Sequence, residues 1–368
     1  MSDLPSEPLK LRGSSISYFT GKMENYFRLK GIPYQLEAMD FPSEVRRNQE
    51  RVGVSQMPVV GLPDGRWMTD TTRMIQWFEV HYPQNPVIPD DPLLALVCYF
   101  LEDWADEWWW RPAMHYRWHY EEGARFASGH LAHEVASALP LPLFFKRQML
   151  RRRQRGGYTS GDGIAKETVA GVELDVSKLF SQLEAILQTR PFLLGQRPSL
   201  ADIGFSGPFF RHFALDPIPL QILRHTAPNT LEWVARLWNT QLRECSGDLT
   251  EGVPDDVLPL LKSIGSVYLP YLNANAAAVH QGRSRFNVTL NGVSYRGARS
   301  SQYRVWCLQE LRDRWLELPG EAMRSASELF DVAGITEALF SETRLPLKPN
   351  QEAGLPFRAD NKMTKVNE

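Results

Sequence analysis

The hydrophobic pattern of this chain changes character once, across a stretch holding Pro83, Pro86, Pro89 and Pro92. Before it, short β-like runs alternate with helical ones; after it, the pattern is helical for almost 200 residues. Leu9 to Leu11 reads as a strand ending at Gly13. Phe19, Met23, Tyr26 and Phe27 then recur at helical spacing and stop at Gly31, a residue suited to a left-handed cap. Pro33 to Glu37 reads as a second strand, and Pro42 to Arg51 as a short polar helix. Pro58 to Gly61 and Arg66 to Met68 predict two strands joined by the turn Pro63-Asp64-Gly65. Asp70 opens a helix carrying Met74, Ile75, Phe78 and Tyr82, with Pro83 as its stop.

The order βαβ followed by αββα, in roughly 80 residues, implies two parallel strands with an antiparallel hairpin added to the same sheet. That is a thioredoxin-like arrangement. The proline-rich stretch predicts an inter-domain linker. Beyond it, Leu93 to Trp110 is helical and carries Glu102, Asp103, Asp106 and Glu107. Val169, Val172, Val176, Leu179, Leu183 and Leu187 make a long amphipathic helix. Ser199 and Asp202 form a capping-box-like start to another. Helices are also expected over Thr230 to Leu242 and Asp255 to Leu272.

Residues 276 to 368 read as an appendage. Arg285 to Tyr295 alternates around Asn291-Gly292, a strong hairpin signal. A helix is expected from Ser301 to Leu316, and the tail after Pro346 is polar, expected to be disordered or extended.

Composition excludes several classes. Hydrophobic residues make up 43% and charged residues 23%, with 11 Trp, so the chain can build large cores. The net charge of −2 gives no global pull toward nucleic acid or anionic membrane. Cys98, Cys245 and Cys307 lie far apart, against a disulfide framework or zinc site. The first residues hold no apolar stretch of signal-peptide length. Ala138 to Phe145, the longest apolar stretch, is broken by prolines and too short for a membrane span. A cytoplasmic protein is expected, and the sequon at Asn287 to Thr289 is then inert. Lys146-Arg147 and the run Arg151, Arg152, Arg153, Arg155 read as a solvated basic turn between helices, with a patch for an anionic partner as the alternative. They lack the interleaved aromatics that nucleic-acid stacking would need.

Residues 10 to 34, KLRGSSISYFTGKMENYFRLKGIPY, resemble the opening of a glutathione transferase: strand, Ser-rich turn, helix with a basic residue near its start, then Lys-Gly-Ile-x-Tyr. Met57-Pro58-Val59-Val60 and Asp70-Thr71 stand where that family has its cis-proline and its acid–hydroxyl pair. Pro191 to Gly195 followed by Ser199 to Ile203 resembles the family's folding motif in the helical domain. The resemblance covers residues 8 to 272, weakly through 122 to 165, and not the appendage. It implies an α/β thioredoxin-like N-terminal domain (8–84) followed by an all-α C-terminal domain (91–275), the glutathione-transferase fold. A small α+β C-terminal extension (276–345) and the tail (346–368) lie outside it.

The resemblance also implies a site for glutathione as co-substrate. Pro58 would be cis, and Met57 would pair with the cysteinyl backbone of glutathione like an added strand. Asp70 and Thr71, at a helix start, would take the γ-glutamyl ammonium and carboxylate; an ordinary N-cap is the plainer reading of the same pair. Aligning Lys22 with the family's basic residue places Ser17 as the thiol-handling group, as in serine-type members. A hydrogen bond to the thiolate worth about 1.5–3 kcal/mol would lower the thiol pKa by roughly 1–2 units. Tyr18 stands where that type has proline, so Ser14, Ser15 and Tyr18 compete for the role. In the run Asp103 to His119, His115 and His119 have metal-compatible spacing. Pro112 and the missing HExxH pattern favour core packing, and no metal is expected.

Two functions follow. One is a glutathione-dependent transferase acting on a small apolar or aromatic electrophile, homodimeric, without nucleic acid or membrane span; a lyase or isomerase using the same cleft is not separable from it. The alternative is a non-catalytic binding or scaffold protein on the same fold. The enzyme needs Met57, Asp70, Thr71 and Ser17 to converge on an open cleft. The scaffold reading predicts a cleft filled by side chains or covered by residues 285 to 320.

Overall fold

The computed structural model describes residues 5, 7–40, 43–342 and 354–359. Strands β1 (Leu9–Gly13), β2 (Tyr34–Ala38), β3 (Val59–Gly61) and β4 (Trp67–Thr69) form one sheet in the order β2-β1-β3-β4. β1 runs parallel to β2, with Leu11 opposite Leu36, and antiparallel to β3, with Leu11 opposite Val60. β3 pairs antiparallel with β4 through Val60 and Met68. Helices α1 (Tyr18–Lys30), α2 (Ser43–Val52) and α3 (Thr71–His81) complete the thioredoxin-like unit. Gly31 takes φ 69° and caps α1, as its position after the last apolar residue predicts. Phe27 meets Phe78 edge to face at 5.2 Å, fastening α1 to α3 over the sheet.

The helical part begins with α4 (Pro92–Trp108), followed by α5 (Trp110–His119), α6 (Glu121–Glu134), α7 (Leu143–Tyr158) and α8 (Val169–Leu187). Next come α9 (Leu200–Pro208), α10 (Pro217–Thr226), α11 (Pro228–Asn239), α12 (Leu258–Ser263) and α13 (Leu269–His280). α9 crosses α4 so closely that a Cβ on Gly204 would lie 2.7 Å from the Glu102 Cα. The capping box at the start of α9 is formed, and Asp202 does more than cap. Its buried carboxylate accepts from the Ser199 N–H at 3.0 Å and Ser199 Oγ at 3.1 Å, and from the Leu193 N–H and Trp233 Nε1 at 3.0 Å each.

Two expectations need correction. The basic run is not a turn: Leu143 to Tyr158 is helix α7, which buries Leu150 alone, so its sequence shows no core-facing stripe. The helix expected from Asp255 to Leu272 is broken into a 3-10 turn, α12, a π-turn over Ile264–Tyr268 and α13. Pro270 explains the break, since it lacks the N–H that would bond back to the preceding turn.

The extension carries β5 (Arg285–Leu290) and β6 (Val293–Arg299), turning at Asn291 and Gly292 with φ 47° and 78°. It continues in α14 (Gln302–Leu316), α15 (Gly320–Val332) and α16 (Ile335–Phe340), the last two unanticipated. Val305, Leu308, Leu311 and Phe330 join the same core as α4. Most of the tail lies outside the described residues. Residues 354–359 are not extended: they form a turn closed by the Arg358 N–H on the Gly354 carbonyl.

Replacing Asp202 with Ala would orphan donors on three segments. Asp202→Ala is expected to cost on the order of 3 kcal/mol in urea unfolding; a loss under about 1 kcal/mol would contradict this role.

Candidate functional site

The sheet register brings the expected site residues to one end of the domain. Arg12 pairs with Val59 and Val59 with Thr69, so the end of β1, the start of β3 and the end of β4 lie side by side. Ser17 follows the first, Met57 and Pro58 precede the second, and Asp70 and Thr71 follow the third. The Met57–Pro58 bond is cis. Gln56 Nε2 donates to Thr69 Oγ1 at 2.8 Å and ties the proline loop to β4.

Ser17 is the N-cap of α1, with extended backbone (φ −82°, ψ 137°) and a carbonyl accepting the Gly21 N–H. It is half-buried and its side chain makes no capping bond. The competing residues are engaged elsewhere. Ser14 Oγ donates to Glu134 Oε2 at 2.5 Å, and the Ser15 N–H to Glu134 Oε1 at 2.8 Å. Ser15 Oγ lies 2.7 Å from His130 Nε2. The Tyr18 hydroxyl is buried and donates to the Ala105 carbonyl at 2.6 Å; burial pushes its pKa well above the usual phenol range. The loop itself is held from α5, where Arg117 Nη1 donates to the Ile16 carbonyl at 2.6 Å.

Asp70 is the N-cap of α3, and its unusual φ of 75° aims the residue into the protein. One carboxylate oxygen accepts the Arg73 N–H at 3.0 Å, the ordinary capping bond. The other accepts the Tyr303 hydroxyl from α14 at 2.6 Å. Burial raises the Asp70 pKa above its ordinary value, although both bonds favour the charged form. Thr71 is buried as well.

A second layer lies on this end of the sheet. Tyr303, Trp306, Cys307 and Leu355 form one apolar cluster. Arg73 stacks 4.7 Å from the Trp306 ring and pairs with Glu310 at 3.0 Å. The turn at 354–359 runs along the exposed edge of β4: the Thr69 N–H donates to the Pro356 carbonyl at 2.8 Å, and the Ala359 N–H to the Val52 carbonyl at 2.7 Å. Ala359 packs with Val52, Val54 and Val59, and Phe357 meets Trp77 edge to face. Asp70, and Thr69 just before it, are therefore touched by the chain's own C-terminal part. The scaffold reading named residues 285 to 320 as a possible cover, and Tyr303 lies among them; sequence reasoning missed its pairing with Asp70 and missed Leu355 to Ala359, which carry no motif.

α1 joins the helical part through Lys22, whose ammonium lies 2.5 Å from both Glu102 Oε1 and Asp106 Oδ2 on α4. Thr72 Oγ1 donates to Glu102 at 2.7 Å. Next to Glu102 in the chain, Asp103 accepts the Tyr268 hydroxyl at 2.6 Å, and burial pushes its carboxyl up to about 8. In the His115–His119 pair, His115 Nε2 meets Glu173 Oε1 at 2.9 Å, and the Tyr120 hydroxyl donates to the same oxygen. Among the described residues no group of three or more potential ligands could hold a metal.

The model of the glutathione S-transferase N-terminal domain matches residues 11–86, and that of the C-terminal domain matches residues 139–240. This chain belongs to the glutathione S-transferase family. Glutathione S-transferases U2 and U4 of Arabidopsis thaliana are each 26% identical to it over 101 residues, 27% of this chain and 45% of theirs. The match thus spans less than half of each relative. Among solved structures, the beta-etherase LigF from Sphingobium sp. strain SYK-6 is 20% identical, covering 63% of this chain and 95% of its own, with a TM-score of 0.45. A glutathione S-transferase from Methylobacterium radiotolerans, in complex with glutathione sulfonate, is 19% identical, covering 68% and 99%, with a TM-score of 0.39. α4 to α6, Tyr303 and the turn at 354–359 all fall outside the two matched family segments.

Asp103 gives this transferase-fold protein a measurable pH signature. With its folded pKa raised above the unfolded value near 3.9, the native state holds a proton that the unfolded state has lost. Its contribution to stability is present below that value and is lost as pH rises toward about 8. Urea midpoints should fall from pH 5 to 8.5, and Asp103→Asn should flatten that slope; parallel slopes in both proteins would contradict it.

Proposed function

We propose that this chain is a glutathione-transferase-fold binding protein whose glutathione cleft is held closed by its own C-terminal extension, so that it does not turn over glutathione in this conformation. The Tyr303 hydroxyl on Asp70 carries this reading. Asp70 is the residue expected to take the γ-glutamyl ammonium, and that carboxylate already has one oxygen on the helix cap and the other on Tyr303. A ligand ammonium would have to displace a buried charge-assisted hydrogen bond, of the kind worth about 1.5–3 kcal/mol. The apolar cluster around Leu355 and the Thr69 to Pro356 bond would have to open as well for a peptide to lie against Met57.

The second reading is glutathione-dependent transfer to a small electrophile, and the state of Ser17 favours it. Ser17 stays half-buried at a helix start with its hydroxyl unspent on capping, as a donor to a thiolate would need. Under that reading Met57, Pro58, Asp70 and Thr71 hold glutathione, and residues 354–359 withdraw to admit it. A homodimer and a cytoplasmic location are consistent with either reading.

Titration calorimetry of the full chain with glutathione separates the two. The closed-cleft reading expects no saturable heat into the millimolar range, and no conjugation of chlorodinitrobenzene above background. Saturable binding abolished by Asp70→Ala in a folded protein, with turnover lost in Ser17→Ala, would sink it in favour of the transferase.

A further inference from the structure

Helix α7 has a composition and an exposure that neither reading of the cleft uses. From Val135 to Gly161 the chain contains no acidic residue but six cations: Lys146, Arg147, Arg151, Arg152, Arg153 and Arg155. Its inner side faces α6, where Leu150 is buried, Arg147 donates to the Arg125 carbonyl and Arg151 pairs with Glu121. The outer side follows the spacing Leu141, Phe144, Phe145, Gln148, Met149 and Arg152, and all six are exposed. Phe144 and Phe145 are 65% and 59% exposed, in a protein that buries most of its other large aromatic side chains.

The two chemistries are separated along the helix axis. The N-terminal half, entered through Pro140 and Pro142, presents a protruding apolar end; the C-terminal half presents the guanidinium groups. Lys146 donates to the Ser137 carbonyl, a bond that leaves its charge uncompensated, while Glu121 offsets part of the charge by pairing with Arg151 and Arg155. We propose that this face of α7 docks the protein on an anionic lipid surface, with Phe144 and Phe145 entering the headgroup region and the arginines meeting lipid phosphates and carboxylates. A soft receiving phase suits an apolar end whose Leu141, Leu143, Phe144 and Phe145 all stand exposed. The basic run, whose sequence from Val135 to Gly161 holds no acid, supplies the complementary charge, with Arg152 exposed on the outer face. A nucleic-acid site fits less well: its aromatics would stand between the cations to stack bases, whereas here they sit at one end. α7 is too short and too charged to span a bilayer, so the docking is peripheral.

Co-sedimentation of the full chain with vesicles tests this, using phosphatidylcholine alone and phosphatidylcholine mixed with phosphatidylserine. Binding is expected to the mixed vesicles and to fade at high salt. Arg152→Glu and the double variant Phe144→Ser/Phe145→Ser should each weaken it by about tenfold or more, with melting temperatures unchanged because all three residues are exposed. Equal partition to both vesicle types, or to neither, would overturn the proposal. So would oligonucleotide binding that persists in the Phe144→Ser/Phe145→Ser variant without vesicle binding, which would assign the cations to nucleic acid. Self-association lost in that variant, again without vesicle binding, would assign the aromatic end to a second copy of the chain and equally overturn it.

Discussion

A buried ammonium on α1, held by two carboxylates of α4, is the most desolvated of the contacts that join the two parts of this molecule. Lys22 is fully buried on α1, and Glu102 and Asp106 of α4 both reach it, while Thr72 at the start of α3 donates to Glu102. Burial alone would drive the Lys22 proton off; the two carboxylates more than reverse that and raise its pKa. The joint fixes the starts of α1 and α3 against the same turn of α4. Those two starts hold Ser17 and Asp70, so this charge cluster, with Arg117 on the Ile16 carbonyl and Tyr18 on the Ala105 carbonyl, sets the relative placement of the thiol-handling and ammonium-binding candidates. Removing either partner would strand a charge in the interior, which is far costlier than the pair's net contribution.

The extension depends on the same scaffold. α14 packs on α4 and α13 through Val305, Leu308 and Leu311, and Arg304 is buried beside Glu107 and Asp162. With α14 held there, Tyr303 stands over Asp70. The turn at 354–359 adds backbone hydrogen bonds to the free edge of β4 and to the end of α2. This covers an edge that a small sheet would otherwise leave open to pairing. Under the proposed reading the same contacts, together with Tyr303 on Asp70, would also close the cleft.

What the sequence made legible follows the range of the interactions. β1 to α3 were readable because alternation, a left-handed Gly31 and the cap at Asp70 are local; so was the Asn291-Gly292 hairpin. The Ser199–Asp202 box was readable as a cap, but not as the acceptor for Leu193 and Trp233. α7 escaped because a helix that buries only Leu150 has no apolar face to betray its period. The positions of Ser17, Met57, Asp70 and Thr71 at one sheet end follow from register, which the strand order implied. Their partners did not: Tyr303 reaches Asp70 across 233 residues of chain, and no spacing rule connects them. Tyr18 was a candidate because it stands where the family type has proline; its buried hydroxyl is spent on the Ala105 carbonyl of α4, which no local pattern announces.

The closure of the cleft is tested most directly at the Thr69 amide, which donates to the Pro356 carbonyl. Hydrogen exchange of that amide in the full chain, followed with and without millimolar glutathione, reads the cover itself rather than any downstream activity. A closed cleft predicts slow exchange that glutathione leaves unchanged. Fast exchange, or exchange that glutathione alters, would show that residues 354–359 do not hold the site shut.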